Sequence, residues 1–175
     1  MATPGTAGLS PLQHPFREVM ASVCTPVAVV TAMTGDLPHG TTVSAFASLS
    51  LDPPMVLVAL DRGSELLARL RRTGRFGLNV LSGAQSHLAR TFAGKGGAAR
   101  FAGVDWHADA GVPRIPGAGG FLACTVDELV EGGDHVVVLG SVLVAETVAV
   151  APLTYHGRIF GTHTAFEGDD GRRGG

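Results

Sequence analysis

The chain has 175 residues, a single domain's worth, with 45% apolar residues and a net charge of −2 from 13 basic and 15 acidic side chains. Charged residues make up only 16% of it, and Lys95 is its single lysine, the other cations being arginine. That balance excludes a nucleic-acid footprint, an acidic solvating tail and a disordered chain.

Residues 1–10 and 168–175 are small, polar and glycine-bearing, and read as flexible tails around one domain over residues 11–167. Leu12, Phe16, Val19, Met20 and Val23 recur at helical spacing, which predicts an amphipathic opening helix that stops before Pro26. Residues 27–33 are apolar and largely β-branched and predict a buried strand, turned at Gly35-Asp36 and returning through residues 40–45. Residues 55–60 predict the next strand. Residues 65–72 predict a short helix with Ser64 at its N-cap and Gly74 past its end. A strand over 76–81 and a helix over 84–92 follow, then a Gly/Pro-rich loop over 101–120. Residues 121–129, 136–150 and 158–162 predict further strands. Strands joined mostly by turns, with three short helices, predict a mainly β fold: an antiparallel barrel, closed or partly closed, rather than a doubly wound parallel sheet.

No apolar run approaches the roughly 20 residues of a bilayer-spanning helix, and residues 1–10 lack the basic and apolar regions of a secretory signal. Cys24 and Cys124 form neither a CxxC pair nor a disulfide framework. The expected setting is cytoplasmic, with reduced thiols.

Phosphate-loop, nucleophile-elbow and zinc-protease motifs are absent from the sequence, and no two of the seven histidines stand four apart, so no metal site is expected. What remains is a set of polar clusters. Residues 40–54 run Gly-Thr-Thr-Val-Ser-Ala-Phe-Ala-Ser-Leu-Ser-Leu-Asp-Pro-Pro, either a hydroxyl-rich turn or a segment whose amides and hydroxyls hold a ligand. Asp61-Arg62-Gly63-Ser64 opens a helix, either as a plain cap or as an anion site. Asn79 is a lone amide in an apolar strand, facing water or partnered inside. Lys95, Arg100 and Phe101 place cations beside aromatics in a glycine-bearing loop that suits a phosphate and a flat ring, or is simply solvated. His135 leads a strand after Gly133-Asp134, and either meets a ligand or is satisfied by Asp134.

In this order the clusters resemble the flavin reductase-like family with the FMN-binding split-barrel fold, over about residues 14–164. The resemblance is carried by Thr25-Pro26 with residues 27–31, by residues 42–50 with Pro53-Pro54, by residues 76–81, by Phe92-Ala93-Gly94 with residues 100–103, and by Gly133-Asp134-His135. It implies an NAD(P)H:flavin oxidoreductase that reduces FMN or FAD by hydride transfer from NADH or NADPH. Many such enzymes release reduced flavin to a separate monooxygenase, and most are homodimers with the flavin near the subunit interface. Thr42, Val43, Ser44, Ala45, Ser48, Leu49 and Ser50 then match the segment around the isoalloxazine ring and ribityl chain. Arg62, Ser64, Lys95 and Arg100, with Phe101 beside them, match the phosphate side; Asn79 lies near the flavin; His135 positions the nicotinamide; Tyr155 matches an aromatic segment before the last strand. Hydride transfer between cofactors needs no nucleophile, which fits the absence of any dyad or triad. A non-catalytic flavin carrier or sensor of the same fold is the alternative.

Overall fold

The computed structural model describes residues 10–94 and 96–166. Lys95 and almost all of both expected tails lie outside the described residues. The chain opens with helix α1 (Gln13–Ala21), then strands β1 (Thr25–Pro26), β2 (Ala28–Thr34), β3 (Leu37–Val43), β4 (Phe46–Leu51) and β5 (Pro54–Asp61). Helix α2 (Glu65–Thr73), strand β6 (Arg75–Val80) and helix α3 (Ser86–Ala93) follow. Then come β7 (His107–Asp109), β8 (Val112–Arg114), β9 (Gly120–Gly132), β10 (His135–Thr147), β11 (Leu153–His156) and β12 (Ile159–Thr162).

Seven strands form one sheet in the order β3-β2-β6-β9-β10-β5-β4, with every pairing antiparallel. The sheet is split: β3 and β4 are its opposite edges, and they do not pair although Ser44-Ala45 joins them directly. A second sheet orders β1-β11-β12, and β7-β8 is a hairpin. The mainly β, split-barrel expectation therefore holds. The sequence pattern missed β4, because its hydroxyls read as a loop. It also missed the β7-β8 hairpin and a 3-10 turn over Gly97–Phe101, because glycine and proline obscure such short elements. The strand expected over 136–150 ends at Thr147.

β2 organises the core because both of its faces are buried. Ala28, Val30 and Ala32 face a cluster that includes Val58, Leu67, Leu70 and Phe76, under α2. Val29, with Val27 just before the strand, faces a second cluster with Leu88, Phe92 and Ile115, under α3. The apolar stripe of α2 supplies Leu66, Leu67 and Leu70, and the helix ends at Gly74, whose φ of 64° gives the left-handed cap that an L side chain resists. The stripe of α1 differs: none of its residues is buried, and Leu12, Phe16, Val19, Met20 and Val23 all stay exposed.

Packing is tight where strands cross the inner face. A Cβ placed on Gly140 of β10 would sit 2.6 Å from the ring of Phe76 and 3.0 Å from the Thr125 carbonyl. Phe76 is fully buried and has nowhere to move. Gly140→Ala is expected to lose about 1–3 kcal/mol of stability, as overpacked cores do; urea unfolding measures it, and a loss below about 0.5 kcal/mol contradicts the packing described.

Candidate functional site

A cleft of about 780 Å³ opens beside the split in the sheet, within the size range of small-molecule and cofactor sites. One wall is residues 39–45 of β3 and the corner after it. The opposite side is the end of β5 at Asp61, then Gly63, Ser64, and Glu65 and Leu66 of α2. The loop after α3, with Gly94, Gly96, Gly97 and Arg100, closes one end, and His135 stands at the lip.

The wall is held from behind. Thr42 Oγ1 donates to the Ala89 carbonyl of α3 at 2.7 Å. Gly40 lets α3 approach, since a Cβ there would lie 3.1 Å from the Phe92 ring. Arg100 donates from one guanidinium nitrogen to the carbonyls of Gly40 (2.7 Å) and Phe92 (3.2 Å). An arginine side chain thereby serves the exposed edge of β3 as a neighbouring strand would.

Ser64 occupies the N-cap of α2, but its hydroxyl makes no capping bond. The first-turn amides of α2 thus lack a side-chain cap and face the cleft end of the helix, an arrangement that favours an anion. Across the cleft, a Cβ on Gly97 would lie 3.0 Å from a Glu65 carboxylate oxygen, so the glycine loop and α2 nearly meet.

His135 pairs with Asp61 in the β10-β5 ladder, which sets it at the cleft. Its Nδ1 lies 2.7 Å from Asp134 Oδ1. The hydrogen bond and charge of His135 hold the Asp134 carboxyl below its usual range. With Nδ1–H given to Asp134, Nε2 is the ring nitrogen left for a ligand, a tautomer assigned from this contact. Arg62 braces the same turn. Its guanidinium donates to the Gly133 carbonyl at 2.6 Å and pairs with Glu131 at 2.9 Å, and its backbone N–H donates to Asp134 O at 2.9 Å.

A second cleft, of about 600 Å³, lies on the far side of the same wall and shares Thr42, Val43, Ser44 and Ala93 with the first. Tyr155, Arg158, Phe160 and Arg90 line it. The Arg90 guanidinium lies 5.1 Å from the centre of the Phe160 ring, and Tyr155 packs on that ring at 5.1 Å.

Of the residues singled out from sequence, Thr42, Val43, Ser44, Ala45, Ser64, Arg100 and His135 thus come together at the first cleft, and Tyr155 at the second. The rest stand elsewhere. Ser48, Leu49 and Ser50 lie on β4 and line neither cleft. Arg62 is spent on the turn that carries His135. Phe101 is buried in an edge-to-face aromatic cluster, its ring centre 4.8 Å from that of Phe92 and 5.8 Å from that of Trp106. Asn79 is fully buried on a central strand rather than facing water: its Oδ1 accepts from Ile115 N–H at 2.8 Å, and its Nδ2 lies within 3.4 Å of the Val29 and Pro113 carbonyls and Thr31 Oγ1. Lys95 lies outside the described residues.

Sequence reasoning passed over His39, Glu65 and the glycines at 96 and 97. Strand alternation held the signal for His39, since residues 39, 41 and 43 share one face of β3. Its histidine was weighed only for metal-ligand spacing.

Residues 20–164 match the family model described as "Flavin reductase like domain". The reductase subunit HsaB of a flavin-dependent monooxygenase from Mycobacterium tuberculosis (strain ATCC 25618 / H37Rv) is 38% identical over 139 residues, 78% of this chain and 74% of that protein. The FMN reductase (NADH) SmoA of Agrobacterium fabrum is 38% identical over 147 residues, 83% of each chain. The solved structure of the Streptomyces globisporus C-1027 NADH:FAD oxidoreductase SgcE6, in complex with NAD and FAD fragments, superposes with a TM-score of 0.84 at 33% identity, covering 92% of this chain and 98% of that one. The strand order, the split between β3 and β4 and this agreement in sequence have one reading: the chain belongs to the flavin reductase-like domain family.

Proposed function

We propose that the protein reduces FMN or FAD with NADH or NADPH and delivers the reduced flavin to a separate monooxygenase component. The observation that carries the reading is the cleft itself: a hydroxyl-bearing wall, an uncapped helix start, an arginine and a histidine around one opening, in a chain of this family. The residues present fit a flavin. Buried polar atoms of Arg100 and His39, both of which line the cleft, lack protein partners, and such donors suit a phosphate. A bound flavin supplies the hydride-accepting ring.

The chain's own part is binding, orientation and exclusion of water. Thr42, Val43 and Ser44 would hold the ring and ribityl chain along their wall, and the Thr42 bond to α3 keeps that wall fixed. Ser64 and the first turn of α2, with Arg100, would hold the phosphate end. Asp134 fixes the tautomer of His135, so that Nε2 meets the nicotinamide amide rather than moving a proton to it.

The protein also works as a homodimer, in this reading. Helix α1 leaves a whole apolar face uncovered and joins the body through the Gly157 N–H to Ala21 carbonyl bond and the Arg158–Glu18 ion pair. Arg158 lines the second cleft, so a second copy seated on α1 would border it. Among the described residues no helix is long and apolar enough to cross a membrane. A cytoplasmic setting, where NAD(P)H is supplied, completes the proposal.

Purified protein with FMN or FAD is expected to consume NADH or NADPH, read as loss of the reduced-nicotinamide absorbance. Flavin binding with no oxidation of either nucleotide would instead establish a carrier. His135→Ala is expected to raise the apparent KM for the nucleotide about tenfold, the loss of roughly one hydrogen bond, with flavin affinity unchanged. The opposite split, weaker flavin and unchanged nucleotide KM, refutes its role. Light scattering should give twice the mass of one chain, and Phe16→Asp with Val19→Asp should halve it; a wild-type monomer rules the dimer out.

A further inference from the structure

Among the described residues, four buried side-chain polar atoms have no hydrogen-bond partner: Thr34 Oγ1, both ring nitrogens of His39, and Arg100 Nε. Three of the four belong to residues that line the first cleft. Buried polar atoms in folded proteins nearly always find partners. Their concentration here marks this cleft as chemically unfinished by the protein alone.

His39 is the stronger anomaly. It is 5% exposed, yet it lines a cleft, and neither nitrogen is used. It sits opposite Ala32 of β2, on the same face of β3 as Thr41 and Val43. The charged groups facing it are Glu65 and Arg69 from α2. From the 97–101 turn comes Arg100, whose guanidinium holds the carbonyl of the next residue, Gly40. β2 brings only the uncharged Ala32. Burial, and after it Arg69, hold the imidazole pKa below the ordinary histidine value, while Glu65 opposes them. The ring is therefore neutral around pH 7, with one donor and one acceptor idle.

We infer that His39 is a proton-linked binding residue for the flavin's phosphate: it takes up a proton from solvent as the anion enters the cleft, and the proton is shared between an imidazole nitrogen and a phosphate oxygen. The inference rests on the flavin-binding reading and adds to it a residue and a pH dependence. A phosphate charge beside the ring offsets both its desolvation and the repulsion from Arg69, so the imidazolium is favoured in the complex. Arg100 and the uncapped start of α2 share the same anion. The one bond formed is N–H on the imidazole, its proton given up by the solvent buffer, and nothing else is exchanged.

The test is calorimetric titration of the full chain with FAD between pH 6 and 8, in two buffers of different ionisation enthalpy, with riboflavin as the phosphate-free control. FAD is chosen because a phosphomonoester such as FMN itself titrates near pH 6. The expected result is proton uptake approaching one per FAD, with affinity falling by up to about tenfold per pH unit as pH rises, and no uptake with riboflavin. A folded His39→Gln chain should bind FAD more weakly, without uptake and with a flat pH profile. Uptake that survives in His39→Gln assigns the proton elsewhere and overturns the inference. So does a wild-type chain that takes up no proton with FAD, or takes up as much with riboflavin, which keeps the test decisive should His39→Gln fail to fold. A wild-type chain that binds neither flavin overturns the proposed function instead.

Discussion

Two residues carry the chain from one edge of the main sheet to the other. β3 ends at Val43, β4 begins at Phe46, and between them Ser44 and Ala45 must turn across the gap while the Ala45 carbonyl accepts the Ala59 N–H at 2.8 Å. That short span forbids the edges from separating, and the absence of pairing between them keeps the barrel open. A sheet that closed there would bury the Thr42–Ser44 ridge under a ladder of hydrogen bonds. Left open, the ridge becomes a wall with a cleft on each side.

The polar side chains divide between those that build the opening and those that face it. Asn79 fastens the segment leading into Ile115 to the middle of the sheet, where a buried amide is tolerable because it is fully partnered. Arg62 locks the β9-β10 turn from three directions, so that His135 stands at the lip on a braced hairpin rather than a loose loop. Arg100 does both jobs: one guanidinium nitrogen holds strand and helix carbonyls, while Nε remains unpartnered at the cleft.

The physical grounds for what could be read from sequence are uneven. The β-branched run of β2 and the apolar stripes of α2 and α3 declare themselves because both follow from periodic burial. The hydroxyl-rich run reads as either a turn or a ligand-holding segment, and its first half lines the cleft. Its second half became β4, since a strand at a sheet edge tolerates small polar residues that resemble a loop. Arg62 and Phe101 illustrate the deeper limit. Sequence locates a cation or an aromatic near a site along the chain, but whether it faces the cleft, a carbonyl or the core depends on contacts with distant segments such as 131–134 and Trp106. His39 is the converse: an undistinguished residue in the sequence that gains meaning from the burial of its two nitrogens.

The two edges of the split are protected in different ways. β3 is covered at Gly40 by Arg100. β4 carries a bulge, because Ser48 pairs with Val56 and Ser50 with Met55, leaving Leu49 as an extra residue. A bulged strand twists and breaks the even row of donors and acceptors that a stray β-strand needs. Leu51, beyond the bulge, is 90% exposed on a strand that would otherwise invite such pairing. A fold whose barrel stays open beside its main cleft thus also keeps that opening from templating aggregation, and straightening β4 by deleting one residue would trade solubility for regularity.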